Sequence, residues 1–123
     1  MKITRFEDVE AWKAARTLAQ AVSQATRTKG FTDLTLIRQM RKCGISAMAN
    51  VAEGFDSGTD GEFARFLRIS YRSVSELQSH LYVALDDRFL DRPAFETLYA
   101  KAHETKAIIG GFMRCLKTSR PRL

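Results

Sequence analysis

Six polar residues stand where the core of a helical protein is expected to be apolar. Ser46, Asn50 and Glu53 fall at i, i+4 and i+7, so a helix puts them on one face. Ser73, Glu76 and His80 repeat the three- and four-residue spacing further along the chain. Glu53, Glu76 and His80 are types that hold metals or move protons. The ligand count opposes that chemistry. A di-metal bundle takes a Glu from each of two helices and Glu-x-x-His from each of the other two. Neither His80 nor His103 has a Glu three residues before it. A structural role is favoured for Ser46, Asn50, Glu53, Ser73 and Glu76, as a hydrogen-bonded network that fixes how two helices meet. Such a network must be satisfied throughout, since each unpaired buried group costs ~1–3 kcal/mol. The expectation is no metal ligand, no catalytic residue and no cofactor.

Other reactive patterns are missing. No serine sits in Gly-x-Ser-x-Gly. Cys43 and Cys115 are far apart, in no metal or redox spacing, and each falls inside a helical pattern as a small hydrophobe. Cys43 has no histidine near it in sequence. Gly54, Gly58 and Gly61 suggest a phosphate loop, but their spacing matches no nucleotide fingerprint and no Lys-Ser or Lys-Thr pair follows. A turn between helices accounts for them.

The basic residues form a second group. Twenty Lys and Arg against fourteen Asp and Glu give a net charge of +6. The cations cluster as Arg38, Arg41 and Lys42, as Arg65, Arg68 and Arg72, and as Arg114, Lys117, Arg120 and Arg122. Such clusters neutralise phosphates and release counterions, giving salt-sensitive binding that tolerates sequence. The plain alternative is a solvated face, with Glu62 and Glu76 flanking the middle cluster.

The elements that must position these residues are helices. The chain of 123 residues is one domain's length, and its two prolines, Pro93 and Pro121, break no helix interior. Apolar periodicity places helices over about 6–28, 33–53, 60–86 and 92–117. On the first, Val9, Trp12, Ala15, Ala19, Val22 and Thr26 make the stripe, and Gly30 is read as its end. Phe31 is read as an anchor that packs the turn onto the bundle. Thr32 or Asp33 caps the second helix, which Gly54 closes, and Thr59 or Asp60 caps the third. Gly44 and Ala47 let a neighbouring backbone approach. Short connections make successive helices antiparallel, so the expected fold is all-α, an up-down-up-down four-helix bundle spanning residues 1–123. No apolar run approaches the ~18 residues of a membrane span. The first ten residues alternate charged and apolar types, unlike a signal peptide, so a cytoplasmic location is expected.

Four blocks in order carry a resemblance. They are Phe6-Glu7-Asp8-Val9-Glu10-Ala11-Trp12-Lys13, the run Gln39 to Ser46, Asn50-Val51-Ala52-Glu53-Gly54, and Glu62-Phe63 continuing through Ser73-Val74 to Glu76-Leu77 and Leu81. The chain resembles the small bacterial four-helix-bundle proteins encoded in intervening sequences of 23S ribosomal RNA genes. The accessory variability determinant of diversity-generating retroelements is similar. The resemblance implies a ring-shaped homopentamer, and most such proteins have no established activity. It also raises RNA, and a reverse transcriptase in a retroelement setting, as partners. Two departures stand out: Arg72 replaces a glycine common in the family, and Asp56 follows Asn50–Gly54 where a base is common.

Two function classes fit the sequence. One is a non-enzymatic homo-oligomer that binds RNA or DNA through Arg38, Arg41, Lys42, Arg65, Arg68, Arg72, Arg114 and Lys117. The other is a structural scaffold for a protein partner.

Overall fold

A computed structural model of the chain describes residues 3–118, with side chains as far as Leu116. Four α-helices follow a short 3-10 turn at Phe6–Asp8: α1 Glu10–Ala25, α2 Leu34–Phe55, α3 Asp60–Asp86 and α4 Arg92–Thr118. Each packs on its neighbours in sequence, and α1 closes the square by packing on α4. Among the described residues there is no strand. The fold is the four-helix bundle that periodicity predicts.

The helix starts follow local chemistry. Asp33 caps α2, its carboxylate accepting from the Leu36 amide at 3.0 Å. The Thr59 hydroxyl accepts from the Glu62 amide at 3.2 Å at the start of α3. Asp91 accepts from the Ala94 amide at 2.9 Å, with Pro93 in the first turn of α4, where a missing N–H costs nothing.

The ends depart from expectation in two places. Gly30 does not end the first helix, which stops at Ala25. There the Thr26 hydroxyl turns back to the Val22 carbonyl at 2.8 Å and competes with the helical ladder. At its start, Val9 is extended and separates the 3-10 turn from α1. Gly54 does not close α2 either; the helix continues to Phe55. A Cβ on Gly54 would lie 2.8 Å from Phe63 Cδ1 and from Phe66 Cβ, so this glycine serves close helix approach. After α3 the Arg88 amide reaches the Leu85 carbonyl at 3.1 Å and the Phe89 amide reaches Ala84 at 2.9 Å. That is a Schellman cap, with Arg88 at φ 64° in the position glycine usually takes.

The core runs through the middle of the square. Leu18, Met40, Leu67, Leu77, Leu81 and Ile109 are its largest fully buried side chains. α1 turns Ala11, Ala15, Leu18 and Val22 inward, while Trp12 and Ala19 of the predicted stripe are only half-buried. Buried Phe31 stacks on Phe89 with centroids 4.9 Å apart, which ties the α1–α2 and α3–α4 turns together. No helix of the described residues is long and apolar enough to cross a membrane.

Candidate functional site

The α2–α3 seam carries the unusual chemistry. Ser46 on α2 and Ser73 on α3 share a hydroxyl–hydroxyl bond of 2.9 Å. Ser70, fully buried, donates to the Ala47 carbonyl at 2.8 Å. A hydroxyl in a helix interior can satisfy itself on the carbonyl four residues back, and Ser73 does so at Ile69 (3.1 Å) while also meeting Ser46. Asn50 works within its own helix: Nδ2 donates to the Ser46 carbonyl at 2.8 Å and lies 3.1 Å from Ser46 Oγ. It braces Ser46 and does not itself cross the seam. No buried side-chain nitrogen or oxygen lacks a partner among the described residues.

Two members of the predicted network are placed elsewhere. Glu53 is exposed, two turns along α2 from Ser46, and takes no part in the hydroxyl bonds of the seam. Glu76 joins a different set, the close group Cys43, Glu76 and His80. One donor atom from each lies within 4.8 Å of the others, and His80 Nε2 stands 3.1 Å from Glu76 Oε2. Cys43 is the member that sequence spacing missed. The signal was present in register: three residues back along α2 from Ser46 and three forward along α3 from Ser73 are Cys43 and Glu76.

The electrostatics of this set follow from its depth. Burial pushes the Cys43 thiol up to about 12, and the adjacent Glu76 carboxylate acts in the same direction. The thiol is therefore protonated and no nucleophile at neutral pH. The hydrogen bond from His80 holds the Glu76 carboxyl below the usual range, helped by Cys43.

The predicted cations fall into distinct environments. Arg41 is half-buried, and its Nε donates to Thr26 Oγ1 at 2.8 Å, tying α2 to the end of α1. Arg65 pairs with Glu62 at 3.1 Å and lies over the Phe66 ring at 4.9 Å. Arg38, Lys42, Arg68 and Arg72 are exposed and make no ion pair within 4.0 Å among the described residues. Arg68 and Arg114 flank a cleft of ≈ 320 Å³ between α3 and α4, completed by Tyr71, Gly110 and Met113. Lys106 sits 5.0 Å from the Tyr71 ring centre and donates to Gln78 at 3.0 Å. The side chain of Lys117, with Arg120 and Arg122, lies outside the described residues.

These features define a class: a small antiparallel four-helix bundle with a hydroxyl-bonded central seam and an arginine-flanked outer cleft. Residues 7–111 match the family model of the 23S rRNA-intervening sequence protein, and the chain belongs to that family. A solved structure from Bacteroides thetaiotaomicron, described as a protein with unknown function from the S23 ribosomal protein family, has the same fold. It aligns with a TM-score of 0.78 over 85% of this chain and 95% of that one, at 15% identity. No curated protein matches the chain.

Proposed function

We propose that this chain is a non-enzymatic, homo-oligomeric bundle that binds structured RNA through its α3 surface and the α3–α4 cleft. The observation that carries the reading is the cleft itself, which Arg68 and Arg114 line together with Tyr71. Guanidinium groups bind phosphate by charge and paired hydrogen bonds. Arg72, one turn beyond Arg68 and without an acidic partner among the described residues, extends the cationic track. The family's description, with its 23S rRNA intervening sequence, supports RNA as the first ligand to test. The assembly supported by family resemblance is a pentamer. Repeating the cleft around a ring would add weak contacts into avidity.

The test is fluorescence anisotropy with a structured RNA, at low and then rising salt. Binding is expected below about 1 μM at low salt and weakens as salt rises. Charge reversal at Arg68→Glu with Arg72→Glu should weaken it at least tenfold, roughly the loss of two phosphate contacts. No binding at low salt overturns the proposal.

A second reading, a scaffold for a protein partner, is favoured by exposed apolar side chains beside the seam. Ile45 is 63% exposed next to Ser46, and Ile69 is 37% exposed one turn before Ser73. Light scattering of Ile45→Lys separates the uses of this face. Dissociation to monomers assigns it to self-assembly; an unchanged oligomer leaves it for another protein.

A further inference from the structure

We propose that Cys43, Glu76 and His80 form a binding site for a zinc-class transition-metal ion, bridging α2 and α3. The site is independent of RNA binding. Its three donors are a thiol sulfur, a carboxylate oxygen and an imidazole nitrogen, all within 4.8 Å of one another. In a tetrahedral zinc site the ligand atoms stand about 3.3–3.6 Å apart, given Zn–S of about 2.3 Å and Zn–N or Zn–O of about 2.0–2.2 Å. The donor atoms therefore stand within about 1.5 Å of that spacing.

The backbone is already held for the purpose. Cys43 lies one turn from the Ser46–Ser73 bond, and Gly44 beside it packs against Ala19, whose Cα would lie 3.1 Å from an added Cβ. Glu76 and His80, four residues apart on α3, present their polar atoms together. The donors also grade from core to surface: Cys43 is 3% exposed, while the side chains of His80 and Glu76 are 24% and 56% exposed. An ion can enter past Glu76, and the outward position is left for water.

Donor type selects the ion. Thiolate and imidazole are soft or borderline ligands that suit zinc and its neighbours, whereas magnesium and calcium require oxygen shells. On binding, the Cys43 S–H bond breaks and the S–metal bond forms, with one proton released to solvent. The His80–Glu76 hydrogen bond breaks as the ring proton shifts through solvent from Nε2 to Nδ1, which frees the Nε2 lone pair and the Glu76 oxygen for two metal bonds while the imidazole stays neutral. Thiolate, carboxylate and neutral imidazole around a dication sum to zero charge, which suits a half-buried seam.

The experiment strips the full-length protein with a chelator and titrates it with Co²⁺, then with Zn²⁺ in competition. One Co²⁺ per chain is expected, with a thiolate-to-cobalt charge-transfer absorption that Zn²⁺ abolishes. Cys43→Ala should remove that absorption. His80→Gln, which removes the imidazole donor, should weaken binding at least about tenfold, since loss of even an outer-shell partner costs that much. Circular dichroism of each variant checks the fold. Absence of binding, binding without the thiolate absorption, or binding lost in His103→Gln but kept in His80→Gln overturns the site.

Discussion

The α2–α3 and α1–α4 seams join helices of the same bundle by different means. Along α2–α3, small residues bring the backbones close and hydroxyls bond across the gap: Gly54 under Phe63 and Phe66, Ser70 on Ala47, Ser46 on Ser73. Along α1–α4 the helices leave open grooves. One of ≈ 210 Å³ is lined by Ala14, Thr17, Leu18, Lys101, Glu104 and Thr105. Another of ≈ 500 Å³ runs past Ala21, Ala25, Pro93, Ala94 and Leu98. The first seam specifies geometry, and the second only buries apolar surface. The register of α2 against α3, and with it the meeting of Cys43, Glu76 and His80, is therefore set by these contacts.

The sharpest way to break this contrast is to add one carbon at Gly54. Its Cβ would meet Phe63 Cδ1 and Phe66 Cβ at 2.8 Å and the Phe63 carbonyl at 3.3 Å. Two of these atoms belong to or adjoin backbone and cannot swing away. Overpacking of this kind costs ~1–3 kcal/mol, and the ~1 kcal/mol that alanine gains over glycine in a helix offsets only part. Gly54→Ala should lower the urea midpoint, with Gly44→Ala doing so less, since its nearest neighbour is Ala19 Cα at 3.1 Å.

Next comes the buried hydroxyl. Ser70→Ala removes a 2.8 Å bond to a carbonyl that keeps its helical partner, so the loss is that of one net hydrogen bond, about 1 kcal/mol. Asn50→Leu should cost less in monomer stability than Ser70→Ala, because Asn50 bonds its own helix. Denaturant titration of the two variants ranks them; the reverse order would mean that Asn50 holds the seam.

Much of this was legible beforehand. The span of α3 and its Thr59 or Asp60 start, the start of α4 at Arg92 and the anchor at Phe31 follow from periodicity and turn chemistry, because those signals are local. The roles of Gly54, Asn50, Glu53 and Cys43 were not, since each depends on what faces it across the seam. Gly54 in a sequence is equally a stop signal and a close contact, and only Phe63 and Phe66 decide between them. Cys43 read as a buried hydrophobe is correct in its depth but omits Glu76 and His80, which come from 33 and 37 residues away.

Alkaline pH probes the same seam more gently. In the metal-free protein the folded thiol of Cys43 titrates near 12, against 9.0 for an ordinary one. Below pH 9.0 both folded and unfolded chains keep the proton, and this group adds no pH dependence. Between pH 9.0 and 12 the unfolded chain loses its proton first, so stability falls as pH rises. Cys43→Ala should flatten that part of the thermal-midpoint profile, and an unchanged slope would show that the thiol is exposed to solvent in the folded state.

The smallest effect is expected on the far side of the bundle, and its smallness is the point. Ala21 is half-buried and borders the ≈ 500 Å³ groove between α1 and α4. A leucine there has open space to enter, gains some apolar contact with Leu98 and Ala94, and keeps full helix propensity. Surface substitutions of this kind stay within about 0.5 kcal/mol. Ala21→Leu should leave the denaturation midpoint nearly unchanged, although it adds three carbons where Gly54→Ala adds one. If Ala21→Leu proves the more damaging of the two, α1–α4 is as closely fitted as α2–α3 and the division of labour between the seams is wrong. If the order holds, the bundle tolerates variation along α1 and α4 while α2 and α3 keep Cys43, Glu76 and His80 in place.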